Sequence, residues 1–461
     1  MFPRPDSREP LTISVGVGFF GTFLAWGDDG PPKGGGKQGY QGMANIKTFM
    51  KSGHPPTLLA AFLYFDFSFA IWVLNGAMAP FITKDFHLTK EQAAFMISLP
   101  TLAGALMRFP LGVLSQYIGR KNAALVEMAC IMAAMAYGYF HVGTYNDVLA
   151  MGVLLGIAGA SFGVALALGS GWFPPEYKGL AMGIAGAGNS GTAIATFFAP
   201  MLAKSYGWQT VYGFAGLMML LPFVVMLFFA KEPPDREGEH SFLDHIKCLF
   251  QGDGWMFNAV YIITFGGFLG LATYLPTFFH DQFGIDPAEA KWYTTFAVLM
   301  GSGTRVLGGY LADKLGGIVA VSVVLMAVIG AFLATSVAPS LGVTVVLLVC
   351  CFACLGAGNG ALFQLVPLRW PATAAVAGSM IGEIGALGGA ILPNALAYSK
   401  THTGSYAGGF IAFAGLCTLI LIALRIVQRY WVGKWIAPGG RALTTSPGVV
   451  AGPSMGLPDP V

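Results

Sequence analysis

The sequence contains few charged residues for its length. Asp, Glu, Lys and Arg together make up 10% of the 461 residues, whereas hydrophobic residues make up 55%. A typical soluble domain carries about 25% charged residues, so this composition excludes an ordinary soluble globular protein. It predicts an all-α integral membrane protein surrounded by the lipid bilayer. The formal net charge of +3 gives no reason to expect a nucleic-acid partner.

Catalytic constellations are also missing. The sequence has no set of His residues at metal-ligand spacing, no nucleophile elbow and no phosphate loop between a strand and a helix. Cys351 and Cys354 form a CxxC, but they lie in an apolar stretch without a second pair, which favours packing over metal or redox chemistry. The hydrophilic segments are too short for a signalling domain. We therefore expect no enzyme, no metal, no cofactor and no membrane-bound sensor.

Long apolar stretches dominate what is present. A stretch of about 20 apolar residues is long enough to cross a bilayer as a helix. Such stretches predict twelve transmembrane helices, near residues 57–83, 91–118, 122–141, 147–172, 179–204, 208–230, 255–280, 289–313, 317–337, 341–365, 373–399 and 405–430.

Two arginines interrupt these apolar stretches. Arg108 lies in the second predicted helix and Arg305 in the eighth. A guanidinium at membrane depth costs at least about 2.5–3.5 kcal/mol, so it is expected only where it faces the protein interior or a water-filled cavity. Both arginines therefore predict a pathway for an anion. The alternative is an internal ion pair with one of the membrane acids.

The surroundings of the two arginines repeat. Each arginine is followed at the same spacing by two glycines, and the two copies are 197 positions apart: Gly112 matches Gly309 and Gly119 matches Gly316. The chain therefore reads as two related halves of six helices. A repeat of this kind is typical of a secondary transporter, whose substrate site lies near the midplane between the halves.

The hydrophilic segments set the predicted domain boundaries. Residues 1–56 form an N-terminal extension that we expect to be poorly ordered, and residues 57–230 form the first six-helix bundle. A cytoplasmic linker follows. We place that linker at residues 231–254, the second bundle at residues 255–433 and a C-terminal tail at residues 434–461. Lys and Arg are more frequent in the segments on the side of both termini, which predicts cytoplasmic termini and a multi-pass protein of the cell membrane.

Glycines are concentrated in the fifth and eleventh predicted helices. The runs GIAGAGNSGTA and GSMIGEIGALGGA lie inside apolar helices, so they do not match a nucleotide-binding loop. Small residues let membrane helices approach closely, and we expect these glycines to pack the helices and border the cavity. The set comprises Gly183, Gly186, Gly188, Gly191, Gly382, Gly385 and Gly388.

These glycine series, the two arginines and the aromatic run VYIITFGGFLG together resemble the nitrate/nitrite porter family of the major facilitator superfamily. The resemblance covers roughly residues 57–430 and implies the major facilitator fold. It also implies that Arg108 and Arg305 grip the planar anion and that Tyr261 donates a hydrogen bond to it. Aromatic stacking would fall to Phe265 and Phe162, with Asn189 on the cavity wall. Without the resemblance, Tyr261 and Phe265 are ordinary packing aromatics.

Three acids in the predicted helices are candidates for proton coupling. Glu383 departs from the family pattern and interrupts a run of glycine and apolar residues, where a carboxylate could carry a proton at neutral pH. Asp66 and Glu127 are the other candidates, and all three could instead pair with the arginines. The added acid favours proton-coupled nitrate uptake over nitrate/nitrite exchange.

The segment GVLSQYIGRK resembles the loop motif between the second and third helices of the superfamily. The residues singled out in this segment are Gly112, Gly119 and Arg120. Asp313 lies in the second copy of the motif. We favour a structural role for this loop, and control of the cytoplasmic gate is the alternative. The sequence thus predicts a secondary transporter of nitrate, and of nitrite, with a carrier of another small anion such as a carboxylate as the second reading.

Overall fold

The protein is helical throughout the part described by the computed structural model, which covers residues 46–234, 251–337, 340–370 and 374–443. A short helix, Ile46–Ser52, precedes twelve longer helical segments, and these ranges contain no β-strand. The segments are α1 Pro55–Asp85, α2 Lys90–Ile118, α3 Arg120–His141, α4 Tyr145–Ser170, α5 175–206, α6 Trp208–Phe229, α7 Gly252–Phe283, α8 Pro287–Leu315, α9 Gly317–Ser336, α10 Leu341–Arg369, α11 Ala374–Thr403 and α12 Ala407–Trp431.

The lengths fit a membrane protein. Ten of the described helices are long and apolar enough to cross a bilayer, and α5 and α8 are not among them. A 3-10 turn divides α5, and α8 carries five charged residues along its length. The most apolar window of α7 is 89% buried, whereas that of α6 or α12 is 33% buried, so α7 is central and α6 and α12 form the periphery.

Four helices are interrupted near their middle. α1 breaks at Val73 and α4 at Ala160, whereas α5 contains a 3-10 turn and α7 a π-helical turn. Turns of the π type often occur at functional sites because they redirect side chains. Several of the predicted site residues lie in or beside these interruptions, among them Phe162, Asn189, Tyr261 and Phe265.

Two glycines with positive φ make sharp turns between helices. Gly119 (φ +88°) separates α2 from α3, and Gly316 (φ +99°) separates α8 from α9. A side chain is strained in this region of backbone space, so glycine is required at both turns. Within the repeated loop motif, Gly119 and Gly316 therefore serve as turn residues.

The first six helices meet the last six chiefly along two pairs, α2 with α11 and α5 with α8. The face where α1 begins and α12 ends is called the terminal face, and the other is called the opposite face. Two of the ion pairs in the described chain join the halves, and both lie at the opposite face: Lys90 with Asp281, and Lys204 with Asp286 at 2.6 Å. The third, between Arg369 and Asp253, lies within the second half at the terminal face.

Side-chain contacts between the halves use similar but not identical positions. Asn394 of α11 donates to Ser98 of α2 at 2.8 Å, and Thr196 of α5 lies 3.0 Å from Thr295 of α8. Ser98 and Thr295 are 197 positions apart, whereas Thr196 and Asn394 are 198 apart, so the two contacts differ by one residue in register.

Glycines allow several helices to touch through their backbones. A Cβ on Gly360 of α10 would lie 1.9 Å from the carbonyl oxygen of Arg305, and one on Gly308 would lie 1.9 Å from that of Ala357. Between the halves, a Cβ on Gly76 of α1 would lie 2.5 Å from the Cβ of Thr273 in α7. These close approaches agree with the expected use of small residues in membrane helix packing.

The predicted extension and linkers fall mainly outside the described residues. Of residues 1–56, the described part begins at residue 46 and includes the helix Ile46–Ser52, whose Phe49 stacks on Phe173. Residues 235–250 of the predicted linker and 444–461 of the predicted tail also lie outside the described ranges.

Candidate functional site

Arg108 is held on several sides within the first half. Only 4% of the residue is exposed, and its Nε donates a 2.9 Å hydrogen bond to the carbonyl of Gly159 in α4. Its guanidinium carbon lies 5.4 Å from the ring centroids of both Trp72 and Phe162. Nη1 has no hydrogen-bond partner among the described residues. The two N–H groups on Nη1 of this buried cation are therefore available to an anion.

Arg305 has fewer contacts. The residue is half-buried, and its Nη2 approaches the Tyr261 hydroxyl at 3.5 Å, the outer limit of a hydrogen bond. Its guanidinium carbon lies 5.8 Å from the ring of Phe363 in α10. The sequence had offered an ion pair as the alternative role of the arginines, and neither arginine forms one within the described chain.

Tyr261 connects the two arginines. It is buried at the start of the π-helical turn, and its hydroxyl lies within electrostatic range of both Arg305 and Arg108. The ring of Phe265 stacks on that of Tyr261 with centroids 5.1 Å apart and an interplanar angle of 9°. The structure thus brings three predicted binding residues and one predicted stacking residue into one region.

An aromatic chain links Phe162 to Phe265 across the halves. Phe162 contacts Phe65 at 5.3 Å, Phe65 contacts Phe69 at 5.5 Å, and Phe69 contacts Phe265 at 6.3 Å, measured between ring centroids. Phe65 and Phe69 belong to α1, so α1 supplies aromatic surface between the two predicted stacking residues. An apolar wall lowers the local dielectric constant and strengthens the attraction between a cation and an anion.

The predicted glycines of α11 face this region. A Cβ on Gly382 would lie 3.1 Å from the ring of Phe162 and 3.3 Å from Nη1 of Arg108. One on Gly385 would lie 2.3 Å from the ring of Tyr261, and one on Gly388 would lie 2.4 Å from the α7 backbone. Side chains at these positions would displace the groups proposed to bind the anion.

The glycines of α5 have a different environment. Gly188 and Gly191 lie against the backbone of Asp66 in α1, where a Cβ on Gly191 would come within 1.8 Å of the carbonyl oxygen. Gly186 borders Leu166, and Gly183 has open space beside it, so close packing does not account for Gly183. Asn189 between them is buried, and its Oδ1 has no partner within the described part of the chain.

The three membrane acids lie in separate environments. Tyr64 donates a short hydrogen bond to Glu127, and Ser190 donates one of 2.6 Å to Asp66, so both acids have partners inside the first half. Glu383 is half-buried and interacts electrostatically with Arg108 across the halves. Glu383 is thus the acid that the structure brings to the arginine site.

The loop after α2 is fixed by an acid that the sequence had not indicated. The carboxylate of Glu232, just after α6, accepts the backbone N–H groups of Arg120 and Lys121 at 2.7 and 2.8 Å. The carboxylate therefore satisfies free N–H groups at the start of α3. Arg120 Nη1 donates to the carbonyl of Ala167 at 3.1 Å. Gly112 borders open space, and Asp313 of the second copy is exposed.

Two aromatic residues at the site were not predicted. Trp72 and Phe363 each lie against one arginine, but aromatic residues make up 13% of the chain and neither has a distinctive spacing. Their roles depend on which helices become neighbours. Within the described residues, no group of three or more His, Cys, Asp or Glu side chains is placed to hold a metal ion.

Comparison with known proteins places this geometry in context. The model of the Major Facilitator Superfamily matches residues 60–393. The chain is 30% identical over 366 residues to the nitrite extrusion protein of Bacillus subtilis (strain 168), covering 79% of this chain and 91% of that protein. It is 31% identical over 377 residues to the probable nitrate/nitrite antiporter NarK1 of Thermus thermophilus, covering 74% of this chain and 84% of that protein.

Solved structures confirm the predicted fold class. A bacterial homolog of the human lysosomal transporter Spinster, in an inward-facing and unoccupied conformation, is 18% identical with a TM-score of 0.64, covering 83% of this chain and 98% of that one. The human organic anion transporter MFSD10 (TETRAN) is 17% identical with a TM-score of 0.62, covering 80% of this chain and 99% of that one. At these identities the likeness concerns the fold alone.

Proposed function

Because the chain belongs to the Major Facilitator Superfamily, and within it to the family of the nitrate and nitrite transporters compared above, we propose that it is a secondary transporter of nitrate and nitrite. It works by alternating access across the cytoplasmic membrane. It carries out no catalysis, and its substrate leaves chemically unchanged.

The observation that carries this proposal is the pair of guanidinium groups within electrostatic range of the buried Tyr261 hydroxyl, one of them 3.5 Å from it. A guanidinium is a flat fork of N–H donors that suits the oxygens of a planar oxyanion, and it stays charged at every relevant pH. Arg108 contributes the unpartnered Nη1, Arg305 contributes a half-exposed fork, and the stacked rings of Tyr261 and Phe265 offer a flat face. Gly382 leaves the space beside Nη1 free of a side chain.

The direction of opening follows from the charge distribution. We place the terminal face, and both chain termini, in the cytoplasm because Lys and Arg are concentrated on that side. The ion pairs Lys90–Asp281 and Lys204–Asp286 then lie at the outer face and hold the halves together there. We expect both pairs to separate before an anion enters from the outside.

Proton coupling is assigned to Glu383. An anion that binds at Arg108 competes with the Glu383 carboxylate for the same cation, and a proton on Glu383 removes that competition. Proton and nitrate would therefore bind together. Asp66 and Glu127 are alternative proton sites, although each already accepts a hydrogen bond away from Arg108. The second candidate function is nitrate/nitrite exchange, which the name of the Thermus thermophilus relative favours.

Transport by purified protein in liposomes tests this function. Nitrate uptake is measured with an imposed pH gradient and, separately, with nitrite trapped inside. Uptake that follows the pH gradient supports proton symport, whereas uptake that requires internal nitrite and ignores pH supports exchange. If neither anion moves while a small carboxylate does, the chain is a carrier of another anion and the nitrate assignment is wrong.

A further inference from the structure

The break in α1 places a tryptophan at the centre of the first half. Trp72 is the last residue of the helix Pro55–Trp72, and Val73 then leaves helical geometry before Leu74 resumes it. Only 2% of Trp72 is exposed. A large side chain at such a break is fixed by its neighbours rather than by its own helix.

Two glycines make room for the indole. A Cβ on Gly104 of α2 would lie 2.6 Å from the indole Nε1, and one on Gly159 of α4 would lie 2.4 Å from the ring. Nε1 donates a 2.7 Å hydrogen bond to the carbonyl of Pro100 in α2, and the ring of Phe69 packs edge-on at 5.2 Å. Contacts with α2, with α4 and with Phe69 therefore fix the orientation of the indole.

The guanidinium of Arg108 rests on this fixed ring. Its carbon lies 5.4 Å from the Trp72 centroid, within the range of a cation–π interaction, and tryptophan gives the strongest interaction of this kind. Gly159 contributes to the same arrangement twice, because its missing side chain admits the indole and its carbonyl accepts the Nε hydrogen bond of Arg108. Glu383 interacts with Arg108 electrostatically, but no carboxylate forms an ion pair with Arg108 within 4.0 Å in the described chain, so the aromatic face supplies part of its stabilisation.

We propose that Trp72 is a positioning residue that acts through Arg108: it orients the guanidinium so that Nη1 points to the substrate anion. This inference rests on the proposed function. The groups that hold the indole and the guanidinium belong to α1, α2 and α4. All three helices are part of the first half and move with it. We therefore expect Arg108 to keep this orientation when the halves move, so that the anion meets a preformed donor.

A double-substitution cycle tests the role through binding. Nitrate affinity is measured by titration calorimetry for the parent, Trp72→Leu, Arg108→Lys and the double variant. Loss of the aromatic face should weaken binding about fivefold to thirtyfold in the parent. In the Arg108→Lys background, the same substitution should cost less than about twofold, because the group that Trp72 orients is already lost.

Trp208→Leu is the matched control. Trp208 is also buried and donates its own indole hydrogen bond, to Asp85, but it contacts neither arginine. We expect this variant to lower the melting temperature and to leave nitrate affinity within twofold. Trp72→Phe, which retains an aromatic face, should recover most of the affinity lost in Trp72→Leu.

Three results would overturn the inference: unchanged affinity in a folded Trp72→Leu protein, an equal loss in both backgrounds, or an equal loss from Trp208→Leu. If the parent binds no nitrate, the proposed function is wrong, and the positioning role is then judged by phenylglyoxal modification. Faster modification of Arg108 in Trp72→Leu, with Arg305 unchanged as the internal reference, supports it. An unchanged rate at Arg108 rejects it.

Discussion

Arg108 and Arg305 occupy equivalent positions in the two halves, yet their surroundings differ. Arg108 is buried between two aromatic rings and bonded to the Gly159 carbonyl, whereas Arg305 is half-buried with one contact at 3.5 Å. The first arginine has a fixed position and the second retains freedom to adjust. We propose that a site of this kind binds an anion first at the fixed Arg108 and then closes on it through Arg305.

Other equivalent residues diverge in the same way. Tyr64 and Tyr261 are 197 positions apart, but Tyr64 donates to Glu127 while Tyr261 approaches Arg305. The position equivalent to Glu383 in α5 is Gly186, so the added acid belongs to one half only. The repeat preserves the position of a residue along its helix. The neighbouring helices decide which side chain that residue contacts.

The largest effect is expected from the acid that lacks a counterpart. Glu383→Gln mimics the protonated carboxyl, so it should abolish nitrate accumulation driven by a pH gradient while leaving counterflow between two equal nitrate pools intact. Both assays are run on the same liposomes, and Glu127→Gln is measured beside Glu383→Gln because Glu127 is an alternative proton site that Tyr64 already engages. Full gradient-driven accumulation in Glu383→Gln would remove this residue from the mechanism, and a parallel loss of counterflow would indicate a structural role.

Lysine substitutions test the difference between the two arginines directly. Lysine keeps the positive charge but lacks the planar guanidinium that donates two parallel hydrogen bonds. We expect Arg108→Lys to weaken nitrate binding on the order of a hundredfold, about 2.7 kcal/mol, because a buried ammonium also forfeits the hydrogen bond to Gly159. Arg305→Lys should weaken it about tenfold. Equal losses, measured by calorimetry, would mean that the two arginines share the anion evenly.

The equivalent tyrosines should separate affinity from stability. Tyr261→Phe removes the hydroxyl beside Arg305 and should weaken nitrate binding by roughly threefold to tenfold, the value of about one hydrogen bond. Tyr64→Phe leaves Glu127 without its donor, so it should lower the melting temperature and leave affinity unchanged. A drop in affinity for Tyr64→Phe would show that this tyrosine is coupled to the anion site.

The smallest effect is expected at the contact of α5 with α8. The hydrogen bond from Lys204 holds the pKa of the Asp286 carboxyl below its usual value. The pairing is therefore fully present above the usual pKa and is lost only as the pH falls through the lowered value. Between about pH 5 and 8, Asp286→Asn should leave the shape of the uptake–pH profile unchanged. A shifted profile would assign part of the pH response to this pair.

The sequence predicted the helical fold, and the structure brings one set of the predicted site residues together, for identifiable reasons. A charged residue in an apolar helix is rare and costly, so Arg108 and Arg305 were visible from the pattern alone, and the spacing of their neighbours revealed the repeat. The glycine run of α11 could be recognised from the sequence because a helix that only faces lipid has no need of so many small residues. Both features are local in the chain.

The remaining features depend on contacts between distant segments. Nothing in the sequence around Trp72 distinguishes it from other aromatics, because its role arises from gaps left by Gly104 and Gly159 in two other helices. Glu232 follows α6 in sequence but satisfies the start of α3. The interruption of α1 at Val73 was not predicted either, although Asn75 and Gly76 follow it closely.

The contact between Gly76 and Thr273 has a consequence for leakage. These residues are each other's counterparts, 197 positions apart, and they touch. Two equivalent points can meet only on the axis of approximate twofold symmetry that relates the halves, which is also the centre line between them. Gly76 lies about one helical turn beyond Trp72, so we expect this contact to narrow the centre line close to the arginines. Because Gly76 has no side chain, it meets the Cβ and backbone of Thr273 directly. We therefore expect a larger residue at position 76 to separate α1 from α7 and to raise ion leakage in the absence of a bound anion.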